Sequence, residues 1–68
     1  MMSTWTCLCH FPDGSEGVHY IEHQQALLRG AEVTIVGREG TWAIVEMNAP
    51  DEAEVIQAEI WVKSSAPD

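Results

Sequence analysis

Apolar residues recur at every second position in four separate stretches of this chain, and turn-forming residues separate the stretches. That spacing puts the apolar side chains of each stretch on one face of an extended strand. In residues 5–11, Trp5, Cys7, Cys9 and Phe11 share a face, and Thr6, Leu8 and His10 share the other. In residues 31–36, Ala31, Val33 and Ile35 alternate with Glu32 and Thr34, in a run rich in β-branched residues. Residues 41–47 send Ala43, Val45 and Met47 one way and Trp42, Ile44 and Glu46 the other. Residues 54–63 align Ile56, Ala58, Ile60 and Val62. The breaks between them are Pro12-Asp13-Gly14 with Ser15, Glu16 and Gly17, then residues 37–40 (GREG), then residues 48–52. Short strands joined by such turns predict an all-β domain, a small antiparallel barrel or sandwich of four to five strands.

Residues 18–29 leave two readings open. Tyr20, Gln24, Leu27 and Leu28 fit one helical face with Gly30 as its stop, although no capping residue stands just ahead of Val18. The other reading is a loop leading to a short strand over residues 25–28. Strand parity constrains the last hairpin further, because directly opposed residues of an antiparallel pair share a face. With Val45 and Ile60 both inward, Val45 pairs with Ala58, Ala43 with Ile60, and Trp42 with Trp61. A shift of the register places Trp42 opposite Glu59 instead. Either register predicts both indoles close together on the outer face. The expected core is Val33, Ile35, Val45, Ile60 and Val62, so a charge at Val45 is expected to unfold the domain.

Sixty-eight residues allow one domain with little stability in reserve. Residues 1–4 are expected to form a disordered start and residues 66–68 a disordered end. Eleven acidic against three basic residues give a net charge of −8, which argues against direct binding to a nucleic-acid backbone. None of the apolar runs approaches the roughly 18 residues of a membrane span. The start, MMSTWTCLCHF, lacks the basic and apolar regions of a signal peptide. Two cysteines two positions apart suit reduced thiols in a strand better than a strained bridge. Together these predict a cytoplasmic protein.

Leu28, Gly30, Val33, Ile35, Gly40, Trp42, Val45, Ile60, Trp61, Val62, Ser64 and Ser65 resemble the pattern of bacterial SH3-like domains. The resemblance covers residues 25–65 and implies a five-stranded, strongly bent barrel across residues 1–68. Ile60 stands where that family has its closing glycine, and the family's final strand after the serine turn has no counterpart here. A barrel open at its C-terminal edge is therefore expected, with that edge covered by a partner or by a second copy in a homodimer. Trp42 falls where eukaryotic relatives line a proline-peptide groove. Lys63 and Ala66 stand near the places of that groove's proline and tyrosine, so ordinary proline-peptide binding is not expected.

Three constellations carry candidate chemistry. Trp42, Ile44 and Trp61 form an expected outer aromatic patch suited to anchoring a protein partner. Asp51, Glu52 and Glu54, with Glu46 and Glu59 nearby, form an acidic region suited to steering a basic partner. Cys7, Cys9, His19 and His23, with His10, carry soft and imidazole ligands that suit zinc, but Cys-x-Cys is not the usual ligand spacing. A cysteine nucleophile would need a base and a cleft that a domain this small scarcely offers. The resulting expectation is a non-enzymatic protein-interaction module without a cofactor. Two alternatives remain: a small acidic inhibitor or immunity-type protein that blocks a nucleic-acid-binding protein, and a Cys/His metal-binding protein.

Overall fold

The computed structural model describes residues 2–48 and 56–65. Among them are five strands and no helix: β1 (Ser3–His10), β2 (Glu16–His23), β3 (Glu32–Ile35), β4 (Trp42–Asn48) and β5 (Ala58–Ser64). Each strand pairs antiparallel with the next. β5 then pairs in parallel with β1, Cys7 beside Ala58 and Cys9 beside Ile60, and the sheet closes into a barrel. The parallel pair follows from strand number. In an up-and-down chain the first and fifth strands run the same way, so closure of an odd number must join two parallel strands. The expected open C-terminal edge is therefore not there, because β5 has a neighbour on both sides. Residues 66–68 lie outside the described residues, and β1 begins at Ser3, inside the segment expected to be a disordered start.

The inner face is apolar. Cys7, Cys9, Phe11, Ile21, Leu27, Val33, Ile35, Ile44, Ala58, Ile60 and Val62 are buried together, with Trp5, Ala31, Trp42 and Met47 packed against them. The alternation expected in β1, β3 and β5 holds: Cys7 and Cys9, Val33 and Ile35, and Ala58, Ile60 and Val62 all point inward. The turn after β1 is built by Asp13. Its carboxylate accepts from the Ser15 N–H at 2.9 Å and the Ser15 hydroxyl at 2.6 Å, and Gly14 takes a φ of 90° that favours glycine. Those two bonds hold the Asp13 carboxyl below the usual carboxylate range.

Residues 18–29 follow neither expected course. Glu16–His23 is one strand, paired residue by residue along β1 from His10↔Glu16 to Ser3↔His23, and residues 25–28 are not a strand. The sequence pattern hides β2 because its polarity is inverted. Val18 and Tyr20 face outward at 53% and 57% exposure, while His19 turns inward beside Ile21. Long-range pairing with β1 overrides the local pattern.

The expected faces of β4 are also corrected. Ile44 is buried at 1% exposure and Val45 is 43% exposed. The register runs Trp42↔Ser64, Ala43↔Lys63, Ile44↔Val62, then jumps to Glu46↔Trp61 and Met47↔Ile60. A β-bulge at Val45 inserts one extra residue and switches the inward parity, so Ile44 and Met47 can both meet the core. Apolar residues at both parities of 42–47 disguised the switch. A charge at the exposed Val45 needs no burial, so Val45→Asp should keep a cooperative thermal transition, within about 0.5–1 kcal/mol of wild type. Ile44→Ala should lose about 2–5 kcal/mol by chemical denaturation, most of the reserve of a domain this size.

Candidate functional site

The two tryptophans that sequence parity placed together lie on opposite faces. Trp42 leans into one end of the core, edge-on to Phe11 with ring centroids 5.4 Å apart. The Arg38 guanidinium covers this end, 3.7 Å from the Phe11 ring centroid and 6.0 Å from that of Trp42. The turn after β3 brings Arg38 there: its N–H donates to the Ile35 carbonyl at 3.1 Å, and Gly37 reverses the chain at a φ of 94°. The Trp42 indole Nε1 is buried with no hydrogen-bond partner among the described residues, a desolvation of about 1–3 kcal/mol that the ring's packing must offset. Trp42 and Ile44 are thus structural, and the expected outer patch of Trp42, Ile44 and Trp61 is not assembled. Of its members only Trp61 faces out.

Cys7 and Cys9 are free thiols, fully buried beside the parallel β1–β5 seam. Burial pushes the Cys7 thiol from 9.0 up to about 12, and the neighbouring Cys9 adds to the rise. Burial also pushes Cys9 up, to about 11, against the opposing pull of Arg38 and a hydrogen bond from the His19 backbone. The Cys9 thiol donates to the Cys7 carbonyl at 3.7 Å, which needs its proton in place. Burial thus keeps both thiols protonated at neutral pH. His19 sits edge-on to Phe11 at 5.4 Å, whereas His23 lies four residues further along β2, opposite Ser3. Among the described residues no group of three or more His, Cys, Asp or Glu side chains is arranged to hold a metal ion.

The outer face of β2, β1 and β5 carries the exposed Val18 and Tyr20 and the half-buried Leu8 and Trp61. Opposed residues share a face, so the register lines up Tyr20 with Thr6, Val18 with Leu8, and Glu16 with His10 across β2 and β1. Across the seam, Leu8 meets Glu59 and His10 meets Trp61. The His10 and Trp61 rings stack at 4.5 Å and 11°. His10 Nε2 donates to Glu59 at 2.7 Å, and Nδ1 lies 3.3 Å from Glu16. A singly protonated imidazole satisfies one of these carboxylates and a doubly protonated one satisfies both. This histidine therefore ties the start of β2 to β5 and holds Trp61 flat against the sheet. The bulge adds exposed Val45 beside Glu46, which stands opposite Trp61. Arg29 reaches Glu46 at 3.6 Å from a position 69% exposed, a weak surface pair.

Sequence reasoning placed Leu8, Val18 and Tyr20 in no candidate site, and it grouped His10 with the cysteines rather than with Trp61. The available signal was the apolar residue on the polar side of β1, and the two in the stretch left unassigned. Glu46 stands opposite Trp61, and Glu59 lies beside it on the His10 side; Asp51, Glu52 and Glu54, the acidic run these two were expected to accompany, lie outside the described residues. An open cleft of about 350 Å³ at the His23 end of β2 and β3 is lined by Met2, Glu22, His23, Gln25, Glu32 and Val33, and it adjoins the outer face at Glu22. No helix among the described residues is long and apolar enough to cross a membrane. No protein-family model matches this chain, and no curated protein or solved structure matches it.

Trp42→Ala should lower stability by about 2–3 kcal/mol, while Trp61→Ala should cost about 1 kcal/mol or less and keep the native circular dichroism spectrum. The cysteines give a pH signature. Their raised values stabilise the fold fully below about pH 9, and that contribution drains away as pH climbs through about 11 and 12, because the unfolded thiols ionise first. Denaturation midpoints between neutral and alkaline pH should fall more steeply for wild type than for a Cys7→Ala, Cys9→Ala variant. Native protein at pH 8 should also resist thiol reagents that label it at once in denaturant.

Proposed function

We propose that this protein is a non-enzymatic interaction module, an SH3-like barrel that binds another protein through the outer face of β2, β1 and β5. The observation that carries the reading is the run of outward-facing apolar groups, Tyr20, Val18, Leu8 and the stacked His10–Trp61 pair, across three adjacent strands. Core formation does not explain them, since Ile21, Ile35 and Ile60 already fill the inner face of the same sheet. Rings held in place before contact lose little entropy on binding, and indoles are strong interface anchors. Glu16, Glu46 and Glu59 surround the pair in a chain of net charge −8, so the fitting partner presents basic residues around an apolar contact. The five-strand meander and the resemblance over residues 25–65 support the SH3-like assignment. The binding face lies away from the position of the proline-peptide groove, where Trp42 serves the core instead.

The test begins with capture from the source cell by wild type and by Trp61→Ala, followed by titration of the purified partner. Truncating an interface anchor typically costs about 2 kcal/mol, so Trp61→Ala should weaken the complex by at least about ten-fold with the fold intact. Added salt should slow association of the wild type. Wild-type affinity in both Trp61→Ala and Val18→Ser would overturn the reading. Loss of binding only on changing Asp51, Glu52 and Glu54 would favour the charge-mimicking inhibitor instead.

A further inference from the structure

The outward row of β2 reads Glu16, Val18, Tyr20, Glu22, an apolar pair bracketed by two carboxylates. At roughly 3.3 Å per residue the brackets stand about 20 Å apart. Beside the row, the outward side chains of β1 are Leu8 and Thr6, so the apolar centre is two strands wide. On the far side of Leu8 stands Glu59. The chain's own cations keep away from the row. Arg29 pairs with Glu46, Arg38 covers Phe11, and Lys63 pairs with Ala43 across β4 and β5. Among the described residues, His10 is the one basic side chain paired with Glu16. The charges around this apolar strip are thus carboxylates with no lysine or arginine of the same molecule to neutralise them.

We infer that the row Glu16–Val18–Tyr20–Glu22 is a docking strip for an amphipathic helix of another protein, apolar along its middle and carrying lysine or arginine at both ends. This rests on the interaction-module reading and names the partner element. A helix is the element that buries an apolar stripe against the face of a sheet whose strands already have neighbours. About 13 helical residues span the 20 Å between the brackets. A second copy of this chain fits poorly, because it would bring Glu16 and Glu22 against their own kind. An anionic membrane surface is disfavoured for the same reason.

The probe is a synthetic helical peptide of about 13 residues, leucine along one face and lysine at both ends. Its controls exchange the leucines for serine or the lysines for glutamine. Binding is followed by anisotropy and by backbone amide shifts. The shifts should centre on Leu8, Val18 and Tyr20, and both control peptides should bind more weakly. Val18→Ser should weaken binding by about ten-fold, and Glu16→Gln and Glu22→Gln by about two- to five-fold each. Glu39→Gln, in the turn after β3, should change nothing. Equal loss with Glu39→Gln, or equal binding of the serine peptide, would reduce the effect to net charge and overturn the proposal. Shifts centred on the cleft at His23 and Gln25 would also overturn it. So would a concentration-dependent dimer of the protein alone that Val18→Ser dissociates, since a second copy would then own the strip. If the peptide fails while the captured partner still depends on Trp61, the helix proposal falls and the interaction-module reading stands.

Discussion

An up-and-down sheet of five strands leaves its first and last strands pointing the same way, and this fold closes only because those two can lie side by side in parallel. The seam sets Cys7 beside Ala58 and Cys9 beside Ile60 on its inner side, and two hydrogen bonds clamp its entry. The Thr6 N–H donates to the Gln57 side chain at 2.8 Å, and the Gln57 N–H donates to the Thr6 carbonyl at 2.7 Å. Buried cysteine serves here as a compact apolar residue, which is why its thiol chemistry is suppressed. With the seam closed, β1 has a neighbour on both sides, and its two faces acquire separate tasks. Cys7 and Cys9 look into the core, while Leu8 and His10 join β2 and β5 in one outer surface.

The bulge at Val45 is the second device that sorts side chains. Without an extra residue in β4, burying Ile44 would turn Met47 out, and burying Met47 would expose Ile44. With it, both reach the core, and Val45 and Glu46 face the solvent opposite Trp61. The same register separates the tryptophans. Trp42 becomes part of the core's end wall under the Arg38 guanidinium, and Trp61 becomes a surface ring held by His10. One hairpin thus holds two tryptophans, one packed against the core and one on the outer face.

β2 departs most from what stability alone would choose. It turns His19 inward and leaves Val18 and Tyr20 in solvent. Local preferences and global fold normally agree, and where they conflict a functional site is a common reason. The same outward row ends in a glutamate on each side, Glu16 and Glu22, so the exposed apolar pair is flanked by carboxylates.

The all-β class, the turns at Pro12–Gly14 and residues 37–40, and the inward faces of β1, β3 and β5 were legible in the sequence. Each follows from a period-two pattern or from a turn residue's own backbone preference, and both are local. The closure of β5 on β1, the course of β2 and the bulge in β4 were not legible. They depend on which strand lies alongside, and pairing energy between residues 49 to 51 positions apart, as in the Gln57–Thr6 clamp and the His10–Glu59 bond, leaves no mark on local periodicity. For the site, the sequence pointed by residue type to Trp42, Ile44 and Trp61 and to the acidic run Asp51, Glu52 and Glu54 with Glu46 and Glu59 nearby. Only tertiary structure could turn Trp42 and Ile44 toward the core and bring Leu8, His10, Val18 and Tyr20 beside Trp61, because which strands lie alongside one another, and in what register, is set by pairing with distant segments.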